Sequence, residues 1–97
     1  MIEVEKLIKH GETFYYIKGT KKYHRVDGPA REWYDGTKAW YLNGKCHRVD
    51  GPAIIYNNGE IEWYLNGISF DKKEEWFEEL TEEQKAKAIY SDYFIRG

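Results

Sequence analysis

Hydrophobic and polar positions alternate along the first two thirds of the chain, and the period lengthens only near residue 69. Ile2 and Val4 alternate with Glu3 and Glu5, which predicts a first strand over roughly 2–8. His10-Gly11-Glu12 supplies a turn, and Thr13 to Lys18 a second, aromatic strand. Two further β-prone pairs follow. Ala30 to Tyr34 and Thr37 to Leu42 flank Asp35-Gly36; Ala53 to Asn57 and Glu60 to Leu65 flank Asn58-Gly59. Asp-Gly and Asn-Gly in such settings signal hairpins with two-residue turns, both turn positions at positive φ.

Two-residue turns would pair Asn57 with Glu60, Tyr56 with Ile61 and Ile54 with Trp63. One face would then carry Ile54, Tyr56, Ile61, Trp63 and Leu65, with Arg31, Trp33, Lys38, Trp40 and Leu42 in the first hairpin. The other would carry Ala30, Glu32, Ala39, Tyr41, Ala53, Ile55, Glu62 and Tyr64, with Tyr16 beside them. A single-residue bulge would invert this assignment for part of each strand.

After Gly67 the pattern turns helical. Asp71 with Glu74 reads as a capping box opening a helix through about Leu80, with Trp76, Phe77 and Leu80 on one side. Thr81 with Gln84 repeats the signal for a second helix over Ala86, Ala88, Ile89 and Tyr90. Asp92 to Gly97 reads as a short aromatic tail that docks or frays. The second hairpin has the more apolar Trp face, so the helices are expected to pack there.

Overlaid on these elements is a repeat. His-Arg-Val-Asp-Gly-Pro-Ala occurs at 24–30 and again at 47–53, and Trp-Tyr-Leu-Asn-Gly at 40–44 and 63–67. A fixed spacing of 23 residues between copies marks an architecture in which each unit completes its neighbour's core. Phe14 to Gly19 reads as a degenerate half-repeat that caps the array. The expected fold is α+β: an antiparallel meander of five or six strands built of repeated hairpins, with two short C-terminal helices packed on one face. It forms a single domain over 1–97, divided into a repeat region (1–68) and a helical segment (69–97).

Composition narrows the function. Basic and acidic residues number 15 and 17, so no global field favours nucleic acid or membrane. The segment 69–97 is mildly acidic, with eight acidic against five basic side chains. Cys46 is the only cysteine, which excludes an intramolecular disulfide and fits a reducing cytosol. No apolar run approaches the ~18 residues of a membrane span, and no signal-peptide core follows Met1; a soluble, cytoplasmic protein is expected. Four Trp, nine Tyr and four Phe exceed what so small a core requires, leaving rings for a contact surface.

Within the heptapeptide, His and Asp can act as base or metal ligand. Their duplication, the extended and turn-rich segment, and the lack of a zinc-type Cys/His cluster favour a structural role instead. In that role Asp closes an Asx-turn, Gly supplies positive φ, Pro sets the exit into the next strand, and Arg pairs with the neighbouring repeat's Asp. A row of His24, Arg25, His47 and Arg48 is the alternative ligand site, for phosphates or nucleotides. No phosphate loop, catalytic carboxylate pair or nucleophile motif is visible, so neither enzyme activity nor a cofactor or metal is expected. The candidate partner-binding surface is the stripe Tyr16, Tyr41 and Tyr64, with Glu32 and Glu62 beside it and the helix acids Glu78 and Glu82. Tyrosine offers large contact area at low entropic cost.

The string Trp40-Tyr41-Leu42-Asn43-Gly44-Lys45-Cys46-His47, followed by Gly51, Tyr56 and Gly59, resembles the MORN repeat. It departs from it in having Arg-Val-Asp between His47 and Gly51, and one more residue between Trp and Asn. It is more similar to the His-Arg-x-Asp-Gly-Pro-Ala repeat proteins of bacteriophages and large DNA viruses, over roughly residues 14–67. The MORN resemblance implies a meandering sheet used as a non-catalytic binding scaffold. By analogy, the phage resemblance implies a small inhibitor of a host protein or defence complex, such as an anti-CRISPR factor, acting in the host cytoplasm. A nucleotide-sequestering protein is the alternative. Direct nucleic-acid binding is not expected, and a homodimer through edge strands remains open.

Overall fold

The computed structural model describes residues 2–91; the expectation for the tail 92–97 lies outside the described residues. The chain runs β1 (Val4–Lys9), β2 (Glu12–Ile17), β3 (Arg31–Glu32), β4 (Lys38–Ala39), β5 (Tyr41–Leu42), β6 (Lys45–Cys46), β7 (Ile54–Ile55), β8 (Ile61–Leu65), β9 (Ile68–Phe70), α1 (Lys73–Glu78) and α2 (Glu82–Ala88). Seven strands form one antiparallel meander in the order β1-β2-β3-β4-β7-β8-β9, and β5 pairs with β6 alone. The α+β meander with helices packed against β8 and β9 is therefore as expected. Nine described strands replace the five or six anticipated.

The extra strands come from turns. His10-Gly11, Asn43-Gly44 and Asn66-Gly67 are the two-residue turns with both positions at positive φ: +54° and +77°, +52° and +79°, +51° and +82°. They join Lys9 to Glu12, Leu42 to Lys45 and Leu65 to Ile68. Asp35-Gly36 and Asn58-Gly59 behave differently, because only their glycines have positive φ. Gly36 N–H donates to the Trp33 carbonyl and Trp33 N–H to the Thr37 carbonyl; Gly59, Tyr56 and Glu60 repeat the arrangement. This is a three-residue loop, a turn followed by a glycine bulge. The Asp35 and Asn58 carboxyl and amide oxygens accept from the N–H groups of Thr37 and Glu60, at 2.9 and 3.0 Å, and hold the turn.

The longer loop slips the register by one. Ile54 pairs with Glu62 and Ile55 with Ile61; Arg31 pairs with Ala39 and Glu32 with Lys38. Directly opposed residues share a face. Arg31, Trp33, Ile54 and Tyr56 therefore lie with the tyrosines, while Glu32 and Ile55 lie on the other side. This reverses the face expected for the first arm of each hairpin.

On that other side sits the core: Trp63, Trp76, Leu80 and Ala88, flanked by Val49, Leu65, Phe70 and Phe77. Trp76 is fully buried, its ring centroid 4.6 Å from that of Trp63, and its Nε1–H donates to the Arg48 carbonyl at 3.0 Å. The helices thus cover the Trp face as expected. The Thr81–Gln84 capping box opens α2 with both reciprocal bonds present. The Asp71–Glu74 box does not form: the chain bends after β9, and Lys72 becomes an N-cap with no side-chain bond. Glu74 and Glu75 still place negative charge in the first turn of α1.

Trp76→Ala is expected to cost about 3–5 kcal/mol. Trp76→Phe, which keeps a ring but leaves the Arg48 carbonyl without the indole donor, should cost about 1–2 kcal/mol. Urea unfolding of the two variants checks both values and their order.

Candidate functional site

The heptapeptides build one side of the molecule. Arg25 lies over the Tyr15 ring at 4.1 Å and Arg48 over the Trp40 ring at 3.9 Å. Each guanidinium is held twice more. Nε donates to Asp27 at 3.1 Å and to Asp50 at 2.7 Å; Nη1 donates to the Pro29 carbonyl at 3.2 Å and the Pro52 carbonyl at 3.1 Å. The Arg–Asp pairs lie within one repeat, which corrects the expected pairing between repeats: two residues of separation put Asp under its own arginine. Gly28 and Gly51 correct another expectation, since neither has positive φ. A Cβ there would come within 2.9 Å of Cζ of Arg25 or Arg48, so the glycines make room for the stacked guanidinium.

The histidines point elsewhere. His24 Nδ1 accepts from Asn43 N–H and His47 Nδ1 from Asn66 N–H, both at 2.9 Å. Each imidazole thereby pins the Asn-Gly turn of its own repeat in a form that requires Nδ1 unprotonated. Burial lowers the His47 pKa from its ordinary value. A groove of about 820 Å³ runs between the two heptapeptide loops and α2, lined among others by Arg25, Trp40, His47, Arg48 and Lys87. Three of the four alternative ligand residues thus share a groove. His24 is buried and does not line it. Among the described residues no group of three His, Cys, Asp or Glu is placed to hold a metal ion.

The opposite side carries the tyrosines. Tyr16 bridges to Tyr23, which meets Tyr41 edge-on at 5.3 Å and Phe14 at 6.2 Å. The cross-strand partners Phe14, Arg31, Ala39, Ile54 and Glu62 form one row across the sheet. Tyr64 O–H donates to Glu62 at 3.2 Å. Burial raises the pKa values of Tyr41, Tyr56 and Tyr64, and the Glu62 carboxylate adds to the last two, so their hydroxyls remain donors. All these rings are half-buried, on the side of the sheet away from the helices.

The structure therefore brings together Tyr16, Tyr41, Tyr64 and Glu62 from the predicted surface. Glu32 is on the far side, paired with Lys38 and Thr13. Glu78 and Glu82 project from the helices that cover that far side, 3.6 and 3.7 Å from Lys85 Nζ. The face also contains Phe14, Tyr23, Arg31, Trp33 and Tyr56, which the alternation did not assign to it. The Asx-Gly dipeptide gave no signal of this, because it fills the two-residue turns at Asn43-Gly44 and Asn66-Gly67 as well as the bulged loops. Cys46 is buried beneath the face, and burial, with Glu62 adding, pushes its thiol up to about 12.

No protein-family model, curated protein or solved structure matches the chain. No helix among the described residues is long and apolar enough to cross a membrane.

Because its folded pKa is depressed, His47 contributes stability that is complete above the unfolded value of about 6.5. That contribution is lost as pH falls through the lower folded value. The difference in urea midpoint between the wild type and His47→Gln should shrink on going from pH 8 to pH 4; a constant or growing difference would contradict this. Alkylation of Cys46 by iodoacetamide at pH 8 should be roughly 10³-fold slower in the native protein than in a free thiol, and should recover in denaturant.

Proposed function

We propose that this chain is a non-enzymatic protein-binding module that engages its partner through the tyrosine face. The observation that carries this reading is the division of the sheet: the chain's own helices occupy one side, and half-buried aromatic rings remain on the other. Tyr, Trp and Arg are the residue types that dominate binding energy at protein interfaces, and all three are gathered here. The setting follows from the resemblance to phage and viral repeat proteins. In it the module is a phage-encoded inhibitor that occupies a host defence complex in the bacterial cytoplasm.

A second reading attaches to the groove between the heptapeptide loops, where Arg25, Arg48 and Lys87 would take the phosphates of a nucleotide. Against it, both arginines already donate to Asp27, Asp50 and proline carbonyls, so binding would have to displace or share these bonds. A nucleotide copurifying with the protein, detected by mass spectrometry, would favour this second reading.

The Tyr41→Ala, Tyr64→Ala double variant should weaken partner binding about 30-fold or more, with cooperative thermal unfolding retained. The check is parallel pull-down from bacterial lysate with wild type and variant. A protein retained by the wild type and lost by the variant supports the face; one retained by both, or none retained by the wild type, overturns it.

A further inference from the structure

The tyrosine face is not uniform, and its two repeats handle charge differently. In the first repeat a cation is already in place. Arg31 Cζ lies 4.8 Å from the Phe14 ring, 5.7 Å from Tyr23 and 4.3 Å from Trp33. Its Nη2 donates to Glu12 at 3.2 Å and its Nη1 to the Tyr23 hydroxyl at 3.3 Å. The chain thus holds one of its own guanidinium groups among three rings and a carboxylate.

Twenty-three residues on, the position of Arg31 is taken by Ile54, that of Trp33 by Tyr56 and that of Ala39 by Glu62. Glu62 lies on the same cross-strand row as Arg31, three strands away, or about 14 Å at ordinary strand spacing. It accepts from Tyr64 and lies close to Tyr56, yet no Lys or Arg among the described residues forms an ion pair with it. A cavity of about 370 Å³ opens beside it, lined among others by Tyr64, Ser69, Phe70 and a second carboxylate, Asp71. A half-buried carboxylate flanked by aromatic rings, with open space next to it, is complementary to a cation that can both stack and hydrogen-bond. Guanidinium does both; ammonium offers no flat surface to stack.

We propose that the Glu62 end of the tyrosine face receives an arginine side chain of the protein partner, reproducing between molecules the arrangement that Arg31 makes within this one. The guanidinium sits against Tyr64 and donates to the Glu62 carboxylate. This deepens the protein-binding reading and rests on it: the partner's contact surface is one that presents an exposed arginine.

The test uses the full ¹⁵N-labelled chain and two capped tripeptides, acetyl-Gly-Arg-Gly-amide and its neutral citrulline counterpart. The arginine peptide should give saturable shifts at the amides of Glu62, Tyr64 and Ser69. Citrulline should bind at least about tenfold more weakly, and Glu62→Gln, which keeps the acceptor for Tyr64, should weaken the arginine peptide by a similar factor. No saturable shift with the arginine peptide, equal shifts with citrulline, or indifference to Glu62→Gln would each overturn the proposal. So would shifts at the same amides that depend on protein concentration alone, since the occupant would then be a second copy of this chain. The titration needs no partner, and the Tyr41/Tyr64 pull-down needs no arginine, so either can fail without the other.

Discussion

The fold depends on one interaction made repeatedly: a ring presented by one hairpin is covered by a group that arrives a turn later in the chain. Tyr15 is covered by Arg25, Trp40 by Arg48, and Trp63 by Trp76 of the first helix. Much of the heptapeptide follows from this requirement. The guanidinium must be flat against the ring, so Asp and a proline carbonyl hold its edge, and glycine leaves the space it occupies. A stacked, hydrogen-bonded guanidinium contributes about 0.5–2 kcal/mol and retains its charge, which suits a sheet too thin to enclose a deep apolar core. The arrangement cannot continue indefinitely, because the last ring has no following heptapeptide. Trp76 closes the series, and its bond to the Arg48 carbonyl ties the helices to the final repeat.

What could be read from the sequence divides along the same line. The repeat, the meander, the helical segment and the side on which the helices dock all follow from periodicity and from the duplicated words. The faces of Arg31, Trp33, Ile54 and Tyr56 did not, because one extra loop residue exchanges the two sides of a strand. Asn-Gly and Asp-Gly are each used here for two distinct purposes or lengths of turn. At Asn43-Gly44 and Asn66-Gly67 the asparagine itself has positive φ, whereas at Asn58-Gly59 only the glycine does. The dipeptide alone does not separate the cases. Context does: the first two have a histidine that accepts from the asparagine N–H, while Asn58 uses its own side chain to close the loop.

The candidate site was half legible for the same reason. Tyr16, Tyr41, Tyr64 and Glu62 lie on the arms that precede or follow the loop in the expected phase, so they converge. Glu32 lies on an arm that slips, so it faces away. Glu78 and Glu82 stand apart on a different ground: the helices pack on the Trp side, which puts their acids on the side of the sheet opposite the tyrosines.

Comparing the two copies shows where the architecture constrains sequence and where it leaves freedom. His, Arg, Asp, Gly and Pro of the heptapeptide and the Trp-Tyr-Leu-Asn-Gly word are identical, and most of them make the stack or pin its turns. The hairpin arms differ, and they differ as cross-strand pairs. Glu32 with Lys38 becomes Ile55 with Ile61, and Arg31 with Ala39 becomes Ile54 with Glu62. An opposite-charge pair is exchanged for an apolar one, and a cation for a carboxylate, without disturbing the ladder between them. Each rung can therefore be rewritten as a pair while the stack beneath stays the same. That property gives a chain of this size a stable scaffold and a variable face at once, and it places the chemistry of recognition on the arms rather than in the repeated motif that first draws attention.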